Sequence, residues 1–137
     1  MYARFRDEAG NQTDIVSDTI YLDMSAPAGG ALTATPGPEQ VTLNWSGFAD
    51  SGGSGIGYYM LFYSSTGFPD KTTGAKLYQG GSTSFPHVEL TPGKTCYYRV
   101  YVVDRAGNVS TGTVTAKATP YSSKKVISPA LFLLLNY

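Results

Sequence analysis

The sequence predicts an all-β protein: a seven-stranded sandwich with an extra hairpin in front. Three observations carry that expectation. Residues 31–119 contain seven short runs in which apolar and polar residues alternate. Gly, Pro, Asn, Asp and Ser separate the runs at intervals suited to short strands. Nowhere does the 3.6-residue apolar period of an amphipathic helix emerge. Composition agrees, because charged residues are only 15% of the chain and 11 tyrosines and many threonines stand in their place.

The runs follow in order. LTATP (Leu32–Pro36) is the first and ends at Pro36-Gly37-Pro38. QVTLNW (Gln40–Trp45) alternates cleanly and sets Val41, Leu43 and Trp45 on one face. GFADSGGSG (Gly47–Gly55) reads as a flexible polar loop. IGYYMLFYS (Ile56–Ser64) directs Tyr59, Leu61 and Tyr63 to one side. AKLYQ (Ala75–Gln79) is short. TSFPHVEL (Thr83–Leu90) carries Pro86, which cannot donate to a ladder and so marks an edge strand. TCYYRVYVVD (Thr95–Asp104) is the most strand-like run, and NVSTGTVTAKAT (Asn108–Thr119) closes the set before Pro120.

Residues 1–23 read as one hairpin, with Tyr2–Arg6 and Ile15–Asp23 joined by DEAGN (Asp7–Asn11). MSAPAGG (Met24–Gly30) is a small-residue linker, and 121–137 is a tail. The apolar run within the tail is too short to span a bilayer and contains Pro129. An isolated hairpin is marginal in water. Phe5, Ile15, Ile20, Leu22 and the tail segment 130–135 are therefore expected to pack on each other, on residues 31–120, or on a second chain.

At this point a family resemblance emerges. Trp45 in the second run, Tyr59 in the third and LTPGKTCYYRVYVVD (Leu90–Asp104) make residues 31–120 resemble a fibronectin type III domain. DSGGSGI before the third run and DRAGN (Asp104–Asn108) after the sixth are similar to the subtype strung along bacterial extracellular and cell-surface proteins. The pentapeptide DRAGN echoes DEAGN, so residues 1–23 look like the last hairpin of an upstream sandwich module. In both, the Asp is expected to accept backbone amides, while Gly and Asn tolerate positive φ. One residue departs from the family pattern. Cys96 stands where the resemblance puts a corner tyrosine, and Tyr97 points to the opposite sheet face, so the corner's tyrosine-to-backbone bond is expected to be missing.

Function is less legible. Ten basic and ten acidic residues give zero net charge, which excludes a basic stripe for nucleic acid or anionic lipid. A single cysteine excludes an intrachain disulfide. No apolar signal segment opens the chain at MYARF, and the truncated front of the upstream module makes that uninformative. His87 could reach Cys96 across the corner, but no third catalytic member is evident, so His87 reads as a half-buried strand histidine with a backbone partner. Asp7, Asp50 and Asp104 are loop carboxylates offered one per loop; they read as turn caps, and no metal or cofactor is expected. Three Asn-x-Ser/Thr sequons, at Asn11, Asn44 and Asn108, fall within what chance gives a Ser/Thr-rich chain.

The outward faces of the third and sixth runs carry more. Tyr58, Met60, Phe62, Tyr97, Arg99 and Tyr101 would share one sheet face, and monomers rarely leave such a patch bare. Cover by the tail, the hairpin or a neighbouring chain would explain it. Plain cross-strand aromatic pairing or a stacked polysaccharide would explain it as well. What the resemblance implies is a non-catalytic spacer, adhesion or interaction module of a secreted or surface protein. Its partners would be neighbouring modules, another protein or a polysaccharide, with no nucleic acid and no membrane span. The alternatives are a carbohydrate-binding accessory of a polysaccharide-degrading enzyme and, more remotely, an enzyme that uses Cys96 and His87.

Overall fold

The computed structural model describes residues 2–4, 6–12, 16–17 and 22–123. Within them the chain forms nine strands: β1 Tyr2–Ala3, β2 Val16–Ser17, β3 Ala28–Gly37, β4 Gln40–Ala49, β5 Ile56–Ser64, β6 Ala75–Gly80, β7 Ser84–His87, β8 Cys96–Asp104 and β9 Thr115–Ala118. β1 and β2 pair with each other. The other seven build two antiparallel sheets, β3-β4-β7 and β6-β5-β8-β9. The all-β sandwich therefore stands as the alternation predicts.

The core lies where period two puts it. Val41, Leu43 and Trp45 from β4 meet Leu61 from β5 and Cys96, Tyr98 and Val100 from β8, all at most 3% exposed. Trp45 packs edge-on to Tyr59 and tilted against Tyr78, with ring centres 5.9 Å away in each case. β7 pairs with β4 alone, so Pro86 sits on an edge strand opposite Thr42.

The strand expected at Thr83–Leu90 is confined to Ser84–His87, and limits differ from the expectation in three further places. β3 begins at Ala28, inside the small-residue stretch, and β4 runs on through Phe48 to Ala49, inside the stretch read as loop. Gly29↔Phe48 and Ala28↔Ala49 pair across the two strands, so the ladder carries residues of little strand preference. The last run is broken. Val109 bridges Val103, the Ser110 amide donates to the Val102 carbonyl, and the regular ladder resumes only at Thr115. Gly112, with φ +73°, makes that break.

The repeated pentapeptide builds the same loop twice. Asn11 donates its backbone N–H to Asp7 Oδ1 at 2.8 Å and its side-chain amide to Oδ2 at 2.9 Å. Asn108 does the same to Asp104, at 2.8 Å for both bonds. Each glycine has the expected positive φ, 87° at Gly10 and 95° at Gly107. Neither Asn is among the positive-φ residues; each contributes through its side chain, contrary to the sequence expectation. Of the apolar residues expected to need cover, Leu22 is 79% exposed. Phe5, Ile15, Ile20 and the segment 130–135 lie outside the described residues.

The chain meets the sandwich at one pole and leaves at the other. At the far end of β4, the Ser54 amide donates to Asp23 Oδ2 and the Asn108 side chain donates to the Asp23 carbonyl. At the near end, the Tyr121 amide donates to the Gly37 carbonyl, and the Glu39 amide donates to the Tyr121 carbonyl. The Gly93 amide holds the Pro120 carbonyl beside them.

Candidate functional site

The six residues read as an outward aromatic face do share one side of the β5–β8 pair. Met60↔Tyr101 and Phe62↔Arg99 are partners in register, and Tyr58 and Tyr97 lie at the two ends of the same ladder. The face is not open along its length. Phe62 and Tyr101 are each 5% exposed and meet edge to face with centres 5.7 Å apart, while Tyr58, Met60, Tyr97 and Arg99 are part-buried.

Two connecting segments of the module close it. The loop 65–74 folds back so that Pro69 is fully buried, Phe68 packs edge-on to Tyr97 at 5.3 Å, and Lys71 Nζ stands 5.1 Å over the Tyr101 ring. Asp70 pins this loop by accepting the amides of Thr72 and Thr73 and the Thr72 hydroxyl, bonds that hold its carboxyl well below the usual range. From the other side comes 110–114. A Cβ on Gly112 would fall 2.1 Å from Tyr101 Cε1, so the backbone itself lies against the ring. The sequence allows cover by the tail, the hairpin or another chain, a stacked polysaccharide, or plain cross-strand aromatic pairing; the structure shows local cover together with the cross-strand pair Phe62–Tyr101. Lys71, Phe68 and Gly112 were missed because nothing in a polar loop sequence shows which face it crosses.

His87 and Cys96 occupy the core side. His87 Nδ1 and the Tyr98 hydroxyl share a hydrogen bond at 3.0 Å, and the ring stands edge-on to Tyr63 with centres 4.6 Å apart. Its partner is a phenol rather than the backbone group expected. Cys96 is 3% exposed, and its thiol donates to the Lys94 carbonyl at 3.7 Å, a weak stand-in for the corner tyrosine bond. No bulge moves Tyr97 inward; it pairs with Lys117 and packs against Phe68. Burial first, and the nearby Cys96 second, push the Tyr98 phenol far above its ordinary value. This arrangement sets a part-buried imidazole between two phenols.

Burial also lowers the His87 pKa from 6.5. The unfolded chain therefore takes up a proton near pH 6.5 that the folded chain resists. Stability contributed by the neutral ring is complete above that value and is lost as pH falls below it. Urea unfolding at about pH 7 and about pH 5 should show the loss in the wild type. His87→Gln, which keeps a partner for Tyr98, should flatten the dependence, since His87 is the chain's one histidine. An equal loss in the variant would remove His87 as the cause.

The third cluster was invisible as a cluster. Asp50 and Asp104, read as separate turn caps, come together with Asp23 so that one oxygen from each lies within 4.8 Å of the others. Gly57 permits the approach of the surrounding strands: it is the extra residue of a bulge opposite Asp104, and a Cβ there would meet the Asp104 carbonyl at 2.8 Å. The Ala106 amide donates to Ser54 Oγ and the Arg105 amide to the Gly55 carbonyl, tying the two loops together. Asp7, in the copy of the loop at 7–11, is exposed and outside this cluster.

Known proteins place the fold. A solved human fourth fibronectin type III domain superposes with TM-score 0.58 at 17% identity, covering 91% of this chain and 99% of that one. The chain carries a fibronectin type III fold. No protein-family model matches the sequence. Exoglucanase B of Cellulomonas fimi is 32% identical over 127 residues, which is 85% of this chain and 11% of that protein. A β-1,2-glucanase from Parabacteroides distasonis matches 92% of the chain and 17% of its own length at 23% identity, with TM-score 0.54. This chain thus spans a small part of both bacterial proteins. Among the described residues of the fibronectin type III sandwich and its leading hairpin, no helix is long and apolar enough to cross a membrane.

Proposed function

We propose that this chain is a non-catalytic spacer and interaction scaffold in a secreted or surface-exposed multidomain protein. Residues 1–23 would close an upstream module, 24–30 link, 31–120 form a complete fibronectin type III module, and 121–137 lead onward. The observation that carries the reading is the placement of the two bonded junctions. Asp23 is fixed beside the Ser54 and Asn108 loops, and Tyr121 beside Gly37 and Glu39, at opposite ends of β4. A ten-residue strand separates them by roughly 30 Å. A unit fixed at both poles holds its neighbours apart. The repeated loop at 7–11 supports a tandem arrangement, with neighbouring modules as the first partners. The resemblance to parts of Exoglucanase B and of a β-1,2-glucanase favours a polysaccharide-acting enzyme as the parent protein.

The second reading is a carbohydrate-binding accessory that uses Tyr58, Met60, Tyr97 and Arg99, the part-buried members of the aromatic face. The edge-on packing of Phe68 against Tyr97 and the burial of Phe62 and Tyr101 count against a flat stacking platform. A pull-down on cellulose, chitin and peptidoglycan separates the two. The spacer reading expects no retention. Retention abolished by Tyr58→Ala or Tyr97→Ala would establish the second reading in its place.

A further inference from the structure

We propose that Asp23, Asp50 and Asp104 bind a divalent cation, with calcium the best fit, at the pole where the linker meets the sandwich. The three carboxylates come from segments far apart in sequence, the last residue of the 1–23 segment, the β4–β5 loop and the end of β8, yet their oxygens converge within 4.8 Å. Each is aimed by the backbone around it. Asp23 accepts the amides of Ser25 and Ser54, Asp50 Oδ2 accepts the Gly55 amide at 2.7 Å, and Asp104 is clasped by Asn108.

A second observation points to a ligand. Asp50 Oδ1 is fully buried, and no hydrogen-bond donor among the described residues reaches it. A buried carboxylate oxygen with no partner is costly, and Asp104 beside it is only 3% exposed. Like charges at this spacing repel, and the donors just described do not neutralise three of them. A divalent cation does so and gives Asp50 Oδ1 the partner it lacks. The donor set is all oxygen, which selects a hard cation. The mixture of side chains from a flexible Gly/Ser loop and a tight turn suits the adaptable shell of calcium better than the strict octahedron of magnesium. The ion would bridge the end of the 1–23 segment and the module, so that binding fixes the joint through Asp23.

Thermal unfolding of the chelator-treated chain, titrated with calcium chloride against magnesium and sodium chlorides at matched ionic strength, tests the proposal. Calcium at about 10 mM should raise the melting temperature by about 5 °C or more, and the shift should grow with the logarithm of concentration above roughly 0.1–1 mM, the range of dissociation constants of extracellular modules. Asp50→Asn should abolish the shift, whereas Asp7→Asn, in the exposed copy of the loop, should retain it. Terbium luminescence on the folded variants gives a readout independent of stability and should be lost in Asp50→Asn alone. No shift up to about 10 mM calcium, or the same shift in both variants, overturns the proposal.

Discussion

Trp45→Ala is expected to lower the free energy of unfolding by about 3–5 kcal/mol, as large aromatic truncations in packed cores do. Trp45 is 2% exposed and is the largest of the three β4 side chains that face the opposite sheet, packing against Tyr59 and Tyr78. A void between the sheets would find no loop able to fall into it, because β4 is the central strand of its sheet. Trp45→Phe tests the same site more finely. The indole N–H is buried without a partner among the described residues, and an unmade bond of that kind costs about 1–3 kcal/mol. Phenylalanine removes that liability while losing part of the ring, so the two effects offset and the variant should lie within about 1.5 kcal/mol of wild type. Urea unfolding followed by tyrosine fluorescence or circular dichroism reads both. Equal losses in the two variants would mean that the indole N–H has a partner in solution.

Gly112→Ala is expected to cost about 2–4 kcal/mol and to uncover the aromatic face. Two effects add. A left-handed backbone costs an alanine about 1–2 kcal/mol, and overpacking against a fixed neighbour adds about 1–3 kcal/mol. The neighbour is Tyr101, whose Cε1 would lie 2.1 Å from the new methyl carbon. Tyr101 cannot swing away freely because Phe62 and Lys71 hold its other sides. The diagnostic is a double-mutant cycle. In a Tyr101→Ala background, Gly112→Ala should lose its steric part and keep only the backbone part, and dye binding to exposed apolar surface should rise in the single variant. Strict additivity would show that 110–114 does not lie on Tyr101.

The strands and inward faces of this protein are readable from sequence because a strand's side-chain period is local. Val41, Leu43 and Trp45 alternate, and so do Cys96, Tyr98 and Val100; burial follows. The edge position of β7 was legible in Pro86 for the same reason. What was hidden depends on contacts between distant segments. The start of β3 at Ala28 rests on pairing with the end of β4, which overrides the weak strand preference of Ala and Gly. The break at Gly112 answers to the Tyr101 ring. Asp50 and Asp104 were each recognisable as turn residues, and the Asp104 clasp by Asn108 has the form the repeated pentapeptide suggests. That Asp23, the residue just before the linker, joins them is a tertiary fact with no local trace.

The central claim is that residues 31–120 are held between two junctions at opposite poles. It is tested most directly by the distance between them. Spin labels at Met24→Cys and Ser122→Cys, in a Cys96→Ala background, flank the bonded positions Asp23 and Tyr121. Double electron–electron resonance should return one narrow distribution centred at roughly 30 Å or beyond, the length of a ten-residue strand. A broad distribution, or a distance under about 20 Å, would contradict the spacer account, because the chain would then join and leave the sandwich at the same end or without a fixed hold.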